Sequence, residues 1–138
     1  KTLGRRRHIL VDTLGLLLNV FVASGDVQDR DAAIPLLCRT RRLFPFIERI
    51  FADGGYQGEK TANAVAKTGA WTLEIVKRSD RLKGFVVLPK RWVVERTFAW
   101  LGRCRRLAKD WENLNRRARA FLRLASIRLM LRKLCNPV

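Results

Sequence analysis

Histidine occurs once and cysteine three times in this chain of 138 residues. Cys38, Cys104 and Cys135 form no Cys-x-x-Cys pair, and with His8 they do not make a four-ligand zinc set. An odd count cannot close a full disulfide framework, which predicts a reduced, cytosolic protein. Long apolar runs are also missing. The longest, Leu14 to Ala23, is interrupted by Gly15 and Asn19 and is too short to cross a bilayer. The opening Lys1-Thr2-Leu3-Gly4-Arg5-Arg6-Arg7 lacks the apolar segment of a secretory signal. Internal repeats, low-complexity tracts and flexible linkers are absent, so the length is read as one domain spanning residues 1–138. Acid is scarce: 12 Asp plus Glu stand against 29 Lys plus Arg, a formal net charge of +17. What is abundant is apolar character, 48% of residues, enough for a core. A cored chain with this excess of cations predicts a polyanionic partner.

The pattern along the chain predicts strand, strand, helix, strand, helix, strand, helix, helix. His8-Ile9-Leu10-Val11-Asp12 reads as a strand, Thr13-Leu14-Gly15 as a turn, and Leu16 to Ala23 as a second strand. Both strands are too apolar for a hairpin with one wet face. Asp29 is placed as the cap of a helix running to about Phe44, with Ile34, Leu37, Cys38 and Leu43 near one face. Ile47 to Ala52 is a short strand, followed by a helix from about Glu59 to Lys67 and a strand from Trp71 to Val76. One long helix is expected from Pro89 to about Trp111, and a second from Arg116 to Leu134, within a basic C-terminal part at 113–138. The mixed order means an α/β layered domain.

Two carboxylates stand out. Asp53 closes an apolar strand and is followed by Gly54-Gly55, which permits a sharp turn and close approach of a large substrate. The carboxyl end of a strand is where α/β folds put their sites, although an Asp at such a place is also a common turn cap. Glu95 lies in the long helix, and on an unbroken helix Arg91, Gly102, Arg106 and Lys109 fall within about 40° of it. Val93, Trp100, Cys104, Leu107 and Trp111 fall on the opposite, core-facing side. The bland account is an exposed Arg91–Glu95 pair one helical turn apart. The sharper one is a metal-binding carboxylate among cations that hold phosphates, since magnesium takes hard oxygen ligands and often few of them from protein.

Phe51-Ala52-Asp53-Gly54-Gly55-Tyr56-Gln57-Gly58 and Arg91-Trp92-Val93-Val94-Glu95-Arg96-Thr97-Phe98-Ala99-Trp100-Leu101 resemble the second and third acidic motifs of bacterial insertion-sequence DDE transposases. The opening from Gly4 to Leu16 and the segment Asp26-Val27-Gln28-Asp29-Arg30-Asp31 resemble the same family. The resemblance implies a ribonuclease-H-like core, a mixed sheet flanked by helices and here lacking its first strand. It implies metal-dependent phosphodiester cleavage and strand transfer at transposon ends, with magnesium or manganese as cofactor and Asp53 and Glu95 as catalytic, metal-binding acids. DNA, both transposon ends and target, would be the partner, with no membrane. The full-length form would be a homodimer, bacterial, cytoplasmic and nucleoid-associated. Arg91 fits the family's arginine four positions before the glutamate. The family's tyrosine would fall at Leu88, and its cation seven after the glutamate at Gly102, where Arg103 or Arg106 would substitute. The first catalytic aspartate would lie on a strand preceding the one at His8, so the chain resembles the C-terminal part of the catalytic domain and is expected to be inactive alone. Asp12 is on the wrong strand for that role.

The cations assigned to DNA are Arg5, Arg6, Arg7, Arg91, Arg103, Arg105, Arg106 and Lys109. The last helix, studded with arginines from Arg116 to Arg132, contains no acid, which favours phosphate contact over plain solvation. A membrane-surface helix is the rival there. Trp71, Trp92, Trp100 and Trp111 are read as mostly core, with Trp92 placed to stack on an unpaired base. His8, beside three arginines, reads as structural or phosphate-facing. The alternative function is a non-catalytic nucleic-acid-binding remnant that keeps the charge without turnover.

Overall fold

The computed structural model describes residues 4–67, 71–76 and 90–136. They form two compact units, one from the segments Lys1–Asp26 and Val93–Val138 and the other from Val27–Trp92. The element order is the expected one: β1 (Arg5–Val11), β2 (Leu17–Ser24), α1 (Asp29–Leu43), β3 (Arg49–Asp53), α2 (Glu59–Lys67), β4 (Thr72–Val76), α3 (Arg91–Gly102) and α4 (Asn115–Cys135). The described residues are therefore α/β. Their strands form two two-stranded sheets, β1-β2 and β3-β4.

In the discontinuous unit β1 and β2 are antiparallel, running from Arg5↔Ser24 to Leu10↔Asn19, with a register shift before Val11↔Leu17. Asp12 makes the turn. Its carboxylate Oδ1 accepts from the amides of Leu14 (2.9 Å) and Leu16 (2.8 Å), and its carbonyl accepts from Gly15 N at 3.1 Å. This is an Asp side chain standing in for a backbone turn. Gly15 has φ +83°, a conformation that glycine adopts at no steric cost. β2 buries Asn19 and Val20 in succession, then Val22 and Ala23, so both its faces are covered, as its unbroken apolar run requires. One face meets the core: Val20 and Val22 against Leu101 of α3, Leu107, and Ala118 and Leu122 of α4.

The helix around Glu95 is shorter than its periodicity suggests. It ends at Gly102 rather than near Trp111, and Cys104 N donates to the Leu101 carbonyl at 3.0 Å as the last turn tightens. A 3-10 turn, Arg105–Leu107, follows, and buried Leu107 draws the chain into the core. Glycine after an apolar turn is a helix stop, and burial of Leu107 outweighs the propensity of the basic run to continue. Arg106 and Lys109 consequently do not share a helical stripe with Glu95. Trp111 and Trp92 are exposed, Trp100 is half-buried, and Trp71 is buried, so the tryptophans are not mostly core.

In the continuous unit β3 and β4 are parallel, Arg49↔Thr72 through Asp53↔Val76, joined through α2 as parallel strands require. α1 lies against α2 and buries Ala32, Ala33, Leu36, Leu37 and Thr40. Cys38 and Leu43, expected on that face, are exposed. The face is set by small alanines that permit close packing, which apolar periodicity weighted by size overlooks. Gln28 rather than Asp29 occupies the cap position, and Asp29 and Asp31 stand in the first turn, at the positive end of the helix dipole.

Candidate active site

Asp53 is the last residue of β3, half-buried, with Gly54 beginning a 3-10 turn immediately after it. Its Oδ1 accepts from Gly55 N at 3.0 Å, which fixes that carboxylate oxygen at the turn. A second carboxylate comes to the same glycine. A Cβ built on Gly55 would stand 3.0 Å from Asp29 Oδ2 and 3.2 Å from Asp53 Oδ1. Only a residue without a side chain leaves that space between the two acids free. Periodicity placed Asp29 as a helix cap and gave no sign that it approaches Asp53, because that proximity depends on how α1 meets the turn after β3.

Lys90 is another residue that sequence reasoning passed over. It has φ +70°, and its ammonium lies 3.5 Å from the Phe51 ring centroid. Residues two apart on a strand share a face, so this cation stands on the Asp53 side of β3. An X-Lys-helix junction carries no composition signal for such a contact.

Glu95 is exposed on α3. The helix carrying it is held to the hairpin turn by its neighbours. Thr97, 1% exposed, donates from Oγ1 to the Gly15 carbonyl at 2.7 Å, and Arg96 donates to the Leu14 carbonyl at 2.9 Å. A Cβ on Gly15 would stand 2.7 Å from Thr97 Oγ1, so the turn and the helix fit only with glycine there. Asp12, engaged by two amides, serves the turn.

The cations assigned to DNA divide into two groups. Arg5 pairs with Asp110 at 2.7 Å, donates from Nε to Asn115 Oδ1 at 2.6 Å, and donates to the Glu112 carbonyl. Arg7 donates to the Leu107 carbonyl at 2.8 Å. Arg106 pairs through Nε with the buried Glu112 carboxylate at 2.6 Å. These three clasp the segment between α3 and α4 to β1 and to itself. Arg6, Arg91, Arg103, Arg105 and Lys109 are exposed, Lys109 over the Trp111 ring. His8 is buried within the hairpin rather than presented to a ligand. Leu88, at the family's tyrosine position, lies outside the described residues.

The profile described as Transposase DDE domain matches residues 1–130. The chain belongs to that family. It is 32% identical over 129 residues to a Burkholderia cepacia protein named as a transposase for insertion sequence element IS402, a match covering 88% of this chain and 60% of the relative. No solved structure matches it significantly. The chain thus spans about three fifths of the curated relative's length. DDE transposases generally use divalent metal ions, and they act on DNA. Among the described residues no helix is long and apolar enough to cross a membrane, and no group of three potential metal ligands gathers.

Proposed function

We propose that this chain supplies the second and third acids of a DNA transposase, Asp53 and Glu95, for phosphodiester cleavage and strand transfer at transposon ends. The observation that carries the reading is Asp53 at the end of β3, with one oxygen held by Gly55 N and a side-chain-free cradle beside it. Carboxylate oxygens are the hard donors that magnesium or manganese prefers. By the family's motifs Asp53 and Glu95 would each be a ligand of such an ion. When bound, it would lower the cost of charge building on the oxygens of the phosphodiester.

The chain's own residues do the remainder. Gly54 and Gly55 let a bulky sugar-phosphate backbone approach Asp53. Thr97 and Arg96 hold α3, and with it Glu95, against the hairpin turn. Arg91, Arg103, Arg105 and Lys109, all exposed, meet phosphates and position the strand without reading its bases. Arg5 and Arg7 contribute by fixing the shape of that basic segment. The family resemblance implies a first catalytic aspartate on a further strand, and without that acid the 138 residues would be inactive.

The test is nicking of a labelled transposon end in magnesium or manganese. It compares this chain alone with a chimera that adds the part of the Burkholderia relative lying outside the match. Metal-dependent nicking by the chimera alone is expected. Nicking by the unextended chain would overturn the claim that the first acid lies elsewhere, and a chimera that binds DNA without cutting it would favour the non-catalytic reading.

A further inference from the structure

α4 has two apolar faces. Ala118, Leu122 and Ser126 are buried, with Phe121 and Ala125 beside the core. On the opposite side Leu124, Ile127, Leu131 and Leu134 are 60%, 52%, 55% and 78% exposed, and Ala120 is exposed as well. At 100° per residue the centres of the two faces lie about 180° apart. The exposed set recurs at steps of four, three, four and three residues from Ala120 to Leu134, which is the spacing of a coiled-coil seam. Scattered exposed leucines need no explanation, but a contiguous stripe of this period does.

Exposed cations border the stripe, Arg123 along one edge and Arg128 and Arg132 along the other. α4 contains no Asp or Glu to answer them. We infer that this stripe docks an acidic amphipathic helix of a separate polypeptide, its apolar seam against Leu124, Ile127, Leu131 and Leu134 and its flanking carboxylates against these arginines. Charge selects the occupant. A second copy of α4 would set arginine against arginine. None of the other described helices offers an acidic flank: α1 carries Asp29 and Asp31 with four arginines, α2 one glutamate with two lysines, and α3 one glutamate with two arginines. Duplex DNA satisfies the arginines and leaves the apolar seam in water. The inference is independent of the catalytic reading, because it uses neither Asp53 nor Glu95.

The probe is a synthetic 21-residue helical peptide with leucine and isoleucine at alternating three- and four-residue steps and glutamate at the flanking positions. Its twin carries lysine at those positions. Fluorescence anisotropy with the 138-residue chain should show the glutamate peptide binding at least about tenfold more tightly than its twin. Leu131→Asp should abolish that binding while the far-ultraviolet circular dichroism stays unchanged. The double variant Arg123→Glu, Arg128→Glu should reverse the preference toward the lysine peptide, a result that unfolding cannot mimic. Equal binding of the two peptides, or binding indifferent to Leu131→Asp, would overturn the inference. So would a dimer in sedimentation that Leu131→Asp dissolves, or tighter binding to phosphatidylserine vesicles than to the glutamate peptide.

Discussion

The two units of this chain are built by different means. The continuous unit, Val27–Trp92, is a helix followed by a parallel strand–helix–strand, closed over short sequence distances and cored by alanine, leucine, isoleucine, valine and a tryptophan. The other unit joins a hairpin near the start to helices beyond residue 92, and polar side chains tie the ends together: Arg5 across 105 to 110 positions, Arg7 across 100, and Arg96 and Thr97 across 82. Closing such long loops is entropically unfavourable, and directional hydrogen bonds give the closure one register where apolar contact alone would allow several. Each unit carries one of the two candidate acids, Asp53 on the local one and Glu95 on the clasped one.

If the contrast is right, damage to the clasped unit should leave the local unit standing. The largest effect is expected from Leu122→Ala. Leu122 is 0% exposed, and its truncation should cost roughly 4 kcal/mol. Urea unfolding followed by hydrogen exchange should show amides of β1, β2 and α4 losing protection while those of α1 and α2 keep theirs. Arg5→Ala comes next. It removes an ion pair and two further hydrogen bonds at a site whose side chain is 18% exposed, an expected loss of about 2–3 kcal/mol in the same unfolding assay. The same readout should show Gly15→Ala costing about 2 kcal/mol, since it strains a φ of +83° and presses a methyl on Thr97 Oγ1. Asp53→Asn marks the small end. The amide oxygen can still accept from Gly55 N, so stability should change by less than about 0.5 kcal/mol.

How far the sequence could be read follows the same division. The order of all eight elements was legible from apolar runs, glycines and charge, and Asp53 at a strand end was legible because its signals are neighbours in the chain. The turn at Thr13-Leu14-Gly15 was equally local, although Asp12, read as the end of the strand, proves to make it. The end of α3 was not. Its basic continuation looks helical by periodicity, and it stops at Gly102 because Leu107 is drawn into a core assembled from β2 and α4. The roles of Arg5, Arg7 and Arg106 were hidden for a related reason. An arginine that clasps a carbonyl or carboxylate reads, by composition, the same as one that awaits a phosphate. Asp29 beside Asp53 and Lys90 over Phe51 likewise arise only when separate elements meet.

In the proposed function Asp53 and Glu95 are the working acids, whereas Arg5, Arg7 and Arg106 hold the fold. The most direct measurement is manganese-dependent nicking of a labelled transposon end by the chimera described above, comparing Asp53→Asn, Glu95→Gln and Arg7→Lys. The two acid variants should bind the DNA and retain the parent's stability but leave it uncut, whereas Arg7→Lys should be less stable yet cut at the parent's rate below its melting temperature. Undiminished cutting by either acid variant would contradict the proposed roles of Asp53 and Glu95.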